Sequence, residues 1–93
     1  MRLVLSLGGS VFEGDSERIR SYAKVLDEIS EENKLFVVVG GGRIAREFIR
    51  KAREVGANET MCDYLGIAVT RINAMLLAYS MKNSAKKIPE NFI

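Results

Sequence analysis

The stretch LFVVVGGGRIAREFIRKAREVG, Leu35 to Gly56, decides the fold. Leu35 to Val39 is apolar, β-branched in three successive residues, and reads as a strand. Three glycines end it. Ile44, Ala45, Phe48, Ile49, Ala52 and Val55 then recur as one helical face, and Gly56 stands where a left-handed C-terminal cap belongs. A strand that runs through glycines into a helix N-terminus makes an anion site, because free N–H groups and the positive end of the helix dipole meet there. Glycine lets the backbone approach such an anion closely.

The same pattern stands earlier in the chain. Leu3 to Leu7 is a nearly all-apolar run that predicts a strand buried on both faces, and it ends at Gly8-Gly9-Ser10. Asp15 or Ser16 can cap a helix carrying Ile19, Tyr22, Ala23, Leu26 and Ile29, which the polar run SEENK terminates. Strand, helix, strand, helix in that order predicts right-handed βαβ crossovers, a parallel sheet and a three-layer α/β/α class. Adjacent parallel strands bring both glycine loops to the carboxyl edge of the sheet, where ligands bind in open α/β folds. Two cradles side by side point to a substrate and a cofactor that each carry phosphate.

Arg43 and Arg46 bear on this, since cations in the first turn of a helix oppose its dipole at a cost of roughly 0.3–1 kcal/mol each. A bound anion reverses the sign. The plainer reading, tight strand-to-helix corners with solvated arginines, stays open at this level. A Walker A loop is absent, because no glycine is followed by lysine and a hydroxyl residue. GGGRIA does fit G-x-G-x-x-A with Asp63 about twenty residues on, but it follows the second strand, and the acid falls at the start of a helix instead of the end of a strand.

A third helix is expected from about Asn58 or Thr60 to about Tyr79, apolar almost all the way round. Such a helix needs cover on more than one side, which two strands and two helices do not supply. Either an oligomer or a missing second half follows, and the closing AKKIPENFI, which starts another connection, points the same way. Asp63, Gly66, Thr70 and Asn73 lie at i, i+3, i+7 and i+10, within an arc of about 80° on that helix. Thr60 and Asp63 can form a capping box, Gly66 can admit a neighbouring helix, and Thr70 and Asn73 can make buried hydrogen bonds. Asp63 can equally accept hydrogen bonds from a hydroxylated ligand such as a ribose.

Composition sets the outer bounds. With 93 residues, 47% apolar and 28% charged, the chain reads as at most one globular domain. A net charge of +2 without an arginine- and lysine-rich face argues against nucleic acid. One cysteine, Cys62, and no histidine exclude a disulfide framework, a Cys/His metal site and histidine acid–base chemistry. Cys62 and the methionines Met61, Met75 and Met81 read as core or interface filler. No leader pattern is visible and no uninterrupted apolar run approaches the ~20 residues that span a bilayer, so no membrane partner and a cytoplasmic location are expected.

LSLGGSVF, VVVGGGRIAR and CDYLGIAVTRINAMLL together resemble the amino-acid kinase superfamily, and within it the archaeal-type uridylate (UMP) kinases. The glycine motifs resemble the superfamily at large; the Asp63 to Leu77 stripe resembles the UMP kinase helix beside the nucleoside monophosphate site. The resemblance runs over all 93 residues. It implies phosphoryl transfer from MgATP to UMP in pyrimidine nucleotide biosynthesis, by a homohexamer built from dimers. By motif position it implies ATP contacts at Gly9, Ser10, Gly42 and Arg46, UMP contacts at Gly41 and Asp63, and no metal ligand from this chain. The third helix would lie at the dimer interface. Ser6 stands where many superfamily members carry a lysine. Members are more than twice as long, so residues 1–93 would form the N-terminal part of one domain whose C-terminal, ATP-binding half is not in this chain, leaving the chain alone inactive. Other superfamily kinases, acting on a carboxylate, carbamate or phosphate, would share the glycine loops but not the stripe. A non-catalytic half-domain that binds nucleotide or self-associates is the alternative of a different class.

Overall fold

The computed structural model describes residues 1–82; the closing segment AKKIPENFI lies outside the described residues. Strand β1 (Arg2–Leu7) is followed by a single 3-10 turn over Gly9–Phe12, helix α1 (Ser16–Ser30), strand β2 (Lys34–Val39), helix α2 (Gly42–Glu54) and helix α3 (Glu59–Ser80). The strands pair in parallel, from Arg2 opposite Lys34 to Leu7 opposite Val39. The Gly40 N–H donates to the Leu7 carbonyl at 2.8 Å, which carries the ladder one residue beyond the strands.

Local chemistry accounts for the element ends. The Asp15 carboxylate accepts from the Glu17 N–H at 2.8 Å, so Asp15 is the cap of α1. At the end of α2, Gly56 adopts φ +96°. Its N–H donates to the Arg53 carbonyl at 3.1 Å and the Ala57 N–H to the Ala52 carbonyl at 2.9 Å, the paired bonds of a Schellman motif. Helix α3 is capped by Asn58, whose side chain accepts from the Met61 N–H at 2.9 Å. This overturns the Thr60–Asp63 capping box. Asn58 takes the helix start two residues earlier, which leaves Thr60 inside the helix.

The core lies between one face of the sheet and the pair α1 and α3. Ala23, Leu26, Val39, Leu77 and Met81 are buried together, with Leu5, Leu7, Leu35, Val37, Phe12 and Ala74 packed on them. Both strands alternate, and the opposite face carries Val4, Phe36 and Val38 at 69%, 46% and 58% exposure. The expectation that the Leu3 to Leu7 strand is buried on both faces therefore fails for the described residues: they place no helix over the second face. Helix α2 packs on α3 and on the 3-10 turn. It buries Ala45 and Ala52 but leaves Ile44, Phe48 and Val55 exposed, so only part of its predicted apolar face is used.

Helix α3 is long and apolar enough, by length and composition, to cross a membrane, contrary to the reading from uninterrupted runs; Asp63 and Arg71 interrupt its sequence without lowering the average below that mark. Here it packs on α2, where a Cβ on Gly66 would stand 3.4 Å from Ile49 Cδ1, an ordinary contact, so the packing does not demand glycine there. Cys62 is buried on the same side, its Sγ 4.0 Å from the Ile49 carbonyl. On the other side Met61, Tyr64, Ile72, Leu76 and Tyr79 are exposed. One chain covers only part of this helix, as its all-round apolarity requires.

Candidate functional site

Register alone brings Gly8 and Gly40 to the same edge of the sheet, and the loops that follow meet backbone to backbone. A Cβ on Gly9 would stand 2.0 Å from the Gly42 nitrogen and 2.5 Å from the Gly41 carbonyl carbon. Only hydrogen fits at Gly9. Gly42 takes φ +64°, and a Cβ there would meet Gly9 backbone at 2.9 Å. The triple glycine is thus required twice, once for a left-handed turn into α2 and once so that the first loop can lie on it.

Helix α3 holds this junction from behind. The buried Asn73 amide donates to the Gly40 carbonyl at 2.9 Å, fixing the start of the triple-glycine loop. Val69 and Thr70 flank Gly41, each with a methyl carbon 3.6 Å from where a Cβ would stand. The Thr70 hydroxyl donates to the Ile67 carbonyl of its own helix at 2.7 Å, so the expected buried bond to a neighbour is made by Asn73 and not by Thr70.

The 3-10 turn is held from the other side. The Ser10 carbonyl accepts from the Arg18 guanidinium at 3.1 Å and from the Glu13 N–H at 3.2 Å. The first turn of α2 contains no acid. The Glu13 carboxylate, thirty residues away in sequence, accepts from the Arg43 N–H at 2.7 Å. Neither Glu13 nor Arg18 was singled out from the sequence: an isolated acid and a helical arginine carry no motif, and only the folded turn aims them at the loops. The Arg43 and Arg46 side chains are exposed and make no ion pair among the described residues, whereas Arg20, Arg50 and Arg53 each pair with a glutamate.

Of the residues expected at the site, Gly9, Gly41 and Gly42 converge in direct contact, with Ser10 and Arg46 on the flanking turns. Asp63 does not join them. The N-terminus of α3 lies beside the C-terminus of α2, where Arg53 pairs with Glu59 at 3.0 Å, and not at the glycine edge. Asp63 precedes Thr70 by seven residues, which places it about 10 Å along the helix from the residue that flanks Gly41. It is exposed.

Two strand-to-glycine corners interlock at the carboxyl edge of a parallel sheet, beside a helix N-terminus and, among the described residues, two arginines without an ion pair, the architecture of an α/β protein of the open parallel-sheet class. The chain belongs to the amino acid kinase family, whose model matches residues 1–91. It is 56% identical over 93 residues to a uridylate kinase from Archaeoglobus fulgidus, covering all of this chain and 42% of that protein. It is 50% identical over 95 residues to a uridylate kinase from Methanothermobacter thermautotrophicus, again covering 42% of the relative. The crystal structure of the Archaeoglobus fulgidus uridylate kinase superposes with a TM-score of 0.90 at 57% identity, over 96% of this chain and 41% of that one. A UMP kinase structure from Bacillus anthracis matches with a TM-score of 0.71 at 25% identity, over 92% of this chain and 37% of that one. The α/β fold with its parallel sheet is that of these kinases. The chain spans about two-fifths of the length of the relatives it matches.

Proposed function

We propose that these residues form the N-terminal part of a UMP kinase, one domain whose remaining half completes the site, and that they contribute the contact between donor and acceptor phosphates. The observation that carries this is the junction of Gly9 with Gly41 and Gly42, two glycine loops packed too closely to admit a Cβ, set at the positive end of α2. The archaeal relatives named uridylate kinase add the acceptor.

ATP fits the chain through its phosphates. Gly9 and Ser10 on one loop and Gly42 and Arg46 on the other would hold them, Gly41 would lie against the UMP phosphate, and Asp63 would accept from the UMP ribose. When bound, MgATP supplies the phosphoryl group. The work of this chain is to orient: backbone N–H groups and the cations Arg43 and Arg46 offset phosphate charge and hold the two groups in line, which needs no nucleophilic side chain. Among the described residues no group of three His, Cys, Asp or Glu side chains converges as a metal site. No step is assigned to the Mg2+ ion, which would enter bound to the nucleotide phosphates. The exposed apolar side of α3 is the proposed dimer surface, within a hexamer as the resemblance implies, in the cytoplasm where a nucleotide kinase acts.

The test is turnover by the full-length protein with MgATP and a panel of acceptors. UMP should be phosphorylated in preference to other nucleoside monophosphates, carbamate and carboxylates. Asp63→Asn should raise the KM for UMP about tenfold to a hundredfold, the worth of a hydrogen bond to a charged group, with the KM for ATP little changed. Equal UMP affinity in wild type and variant removes the ribose assignment. Preference for a carbamate or carboxylate removes the UMP reading, and self-association without nucleotide binding makes the chain a structural half-domain.

A further inference from the structure

We infer that Glu13 is an internal stand-in for phosphate, an autoinhibitory contact that an incoming anion has to displace. The inference rests on the phosphate-cradle reading of the same site. The carboxylate sits on the positive end of α2, accepting from the Arg43 N–H at 2.7 Å. The same oxygen, Oε1, lies 2.7 Å from where a Cβ on Gly42 would stand, so it fills the space the glycine leaves open. The first turn of α2 itself holds Arg43 and no carboxylate.

Glu13 comes from the turn that carries Gly9 and Ser10. It terminates the Gly9–Phe12 turn with its own N–H bonded to the Ser10 carbonyl, and Gly14 follows at φ +87° with open space around it. Closure of Glu13 onto α2 therefore ties the first glycine loop to the second across the place where a phosphate would enter. A carboxylate and a phosphate cannot both take the Arg43 N–H. The apparent affinity for phosphate is then reduced by the fraction of molecules in which Glu13 has let go.

The experiment is a calorimetric titration of inorganic phosphate into the full-length protein, as wild type, Glu13→Gln and Glu13→Ala, with Glu17→Gln as a control for loss of a nearby charge. The amide accepts the Arg43 bond less strongly than the carboxylate and alanine does not accept it at all. Phosphate should bind about threefold to tenfold tighter in Glu13→Gln, and more tightly still in Glu13→Ala, with Glu17→Gln near wild type. The Arg43 amide resonance should shift in Glu13→Ala, and phosphate should shift it in the wild type. Unchanged or weaker phosphate binding in both Glu13 variants would overturn the inference and make Glu13 a staple of the loop junction. An equal gain in Glu17→Gln would overturn it as well, reducing the effect to net charge. Absence of phosphate binding in every variant would overturn the cradle itself, whereas phosphate binding without UMP turnover would leave this inference standing and remove the UMP reading.

Discussion

Gly8 and Gly9 are adjacent, chemically identical and opposite in what the fold allows them. A Cβ on Gly8 would meet nothing nearer than Ser10 Oγ at 3.9 Å. A Cβ on Gly9 would stand 2.0, 2.4 and 2.5 Å from three backbone atoms of Gly42 and Gly41. Backbone atoms at the head of a helix do not rotate away as a side chain does. To restore a contact of 3.4 Å from 2.0 Å, the two loops have to part by about 1.4 Å. Overpacking in a tight site costs about 1–3 kcal/mol, and a clash with fixed backbone falls at the upper end. In the full-length protein, more than twice as long as this chain, that lowers the unfolding midpoint by ~6–12 °C. Displacement of the cradle by more than an ångström should also cost turnover about a hundredfold or more. Gly8→Ala and Gly9→Ala in the full-length protein, compared by thermal unfolding and by UMP-dependent ATP consumption, should therefore differ sharply, with Gly8→Ala near wild type in both. Gly9→Ala with wild-type stability and activity would refute the interlocked-loop geometry, and with it the site built on that geometry.

Two further outcomes follow from single contacts. Asn73→Ala removes the buried amide that donates to the Gly40 carbonyl and should destabilise by about 1–3 kcal/mol, measured by urea unfolding; Asn73→Asp, which keeps the size but presents no amide donor when ionised, should do no better. The exposed Arg53–Glu59 pair lowers the Glu59 carboxyl below its ordinary value through the guanidinium hydrogen bond and charge, and raises Arg53 correspondingly. A carboxyl depressed in the fold contributes stability that is present above its unfolded value and lost as pH falls through its folded value. Glu59→Gln should accordingly flatten the loss of stability below about pH 4.5 and leave the alkaline side alone; an unchanged acid limb would show that solvent screens the pair completely.

Much of this was legible in the sequence, and the reason differs element by element. Strand β2, the glycines and α2 were readable because period, β-branching and glycine chemistry act within a few residues, and the Gly56 cap was readable for the same reason. The αL glycine at position 42 and the contact of Gly9 upon it were not, since three glycines in a row do not say which one must turn left-handed. The Thr60 to Asp63 box failed because two cap signals stood two residues apart and only the helix register chooses between them. Spacing left Asp63 open between a helix cap and a ligand contact; the connection into α3 begins at the far end of α2, so the start of α3 is carried about a helix length from the glycines.

The elements, their order and the two strand-to-glycine corners were set by the sequence, because each depends on local backbone preference and on the spacing of apolar residues. The sequence also determined, through the all-round apolarity of α3, that this chain would leave surface uncovered. Tertiary structure alone decided that the corners interlock at Gly9 and Gly42, that Asn73 holds Gly40, and that Glu13 reaches across thirty residues to the Arg43 amide. Those are contacts between segments with no mutual spacing rule. They follow from the parallel register of Leu7 beside Val39 and from the close approach that two backbones without Cβ atoms permit.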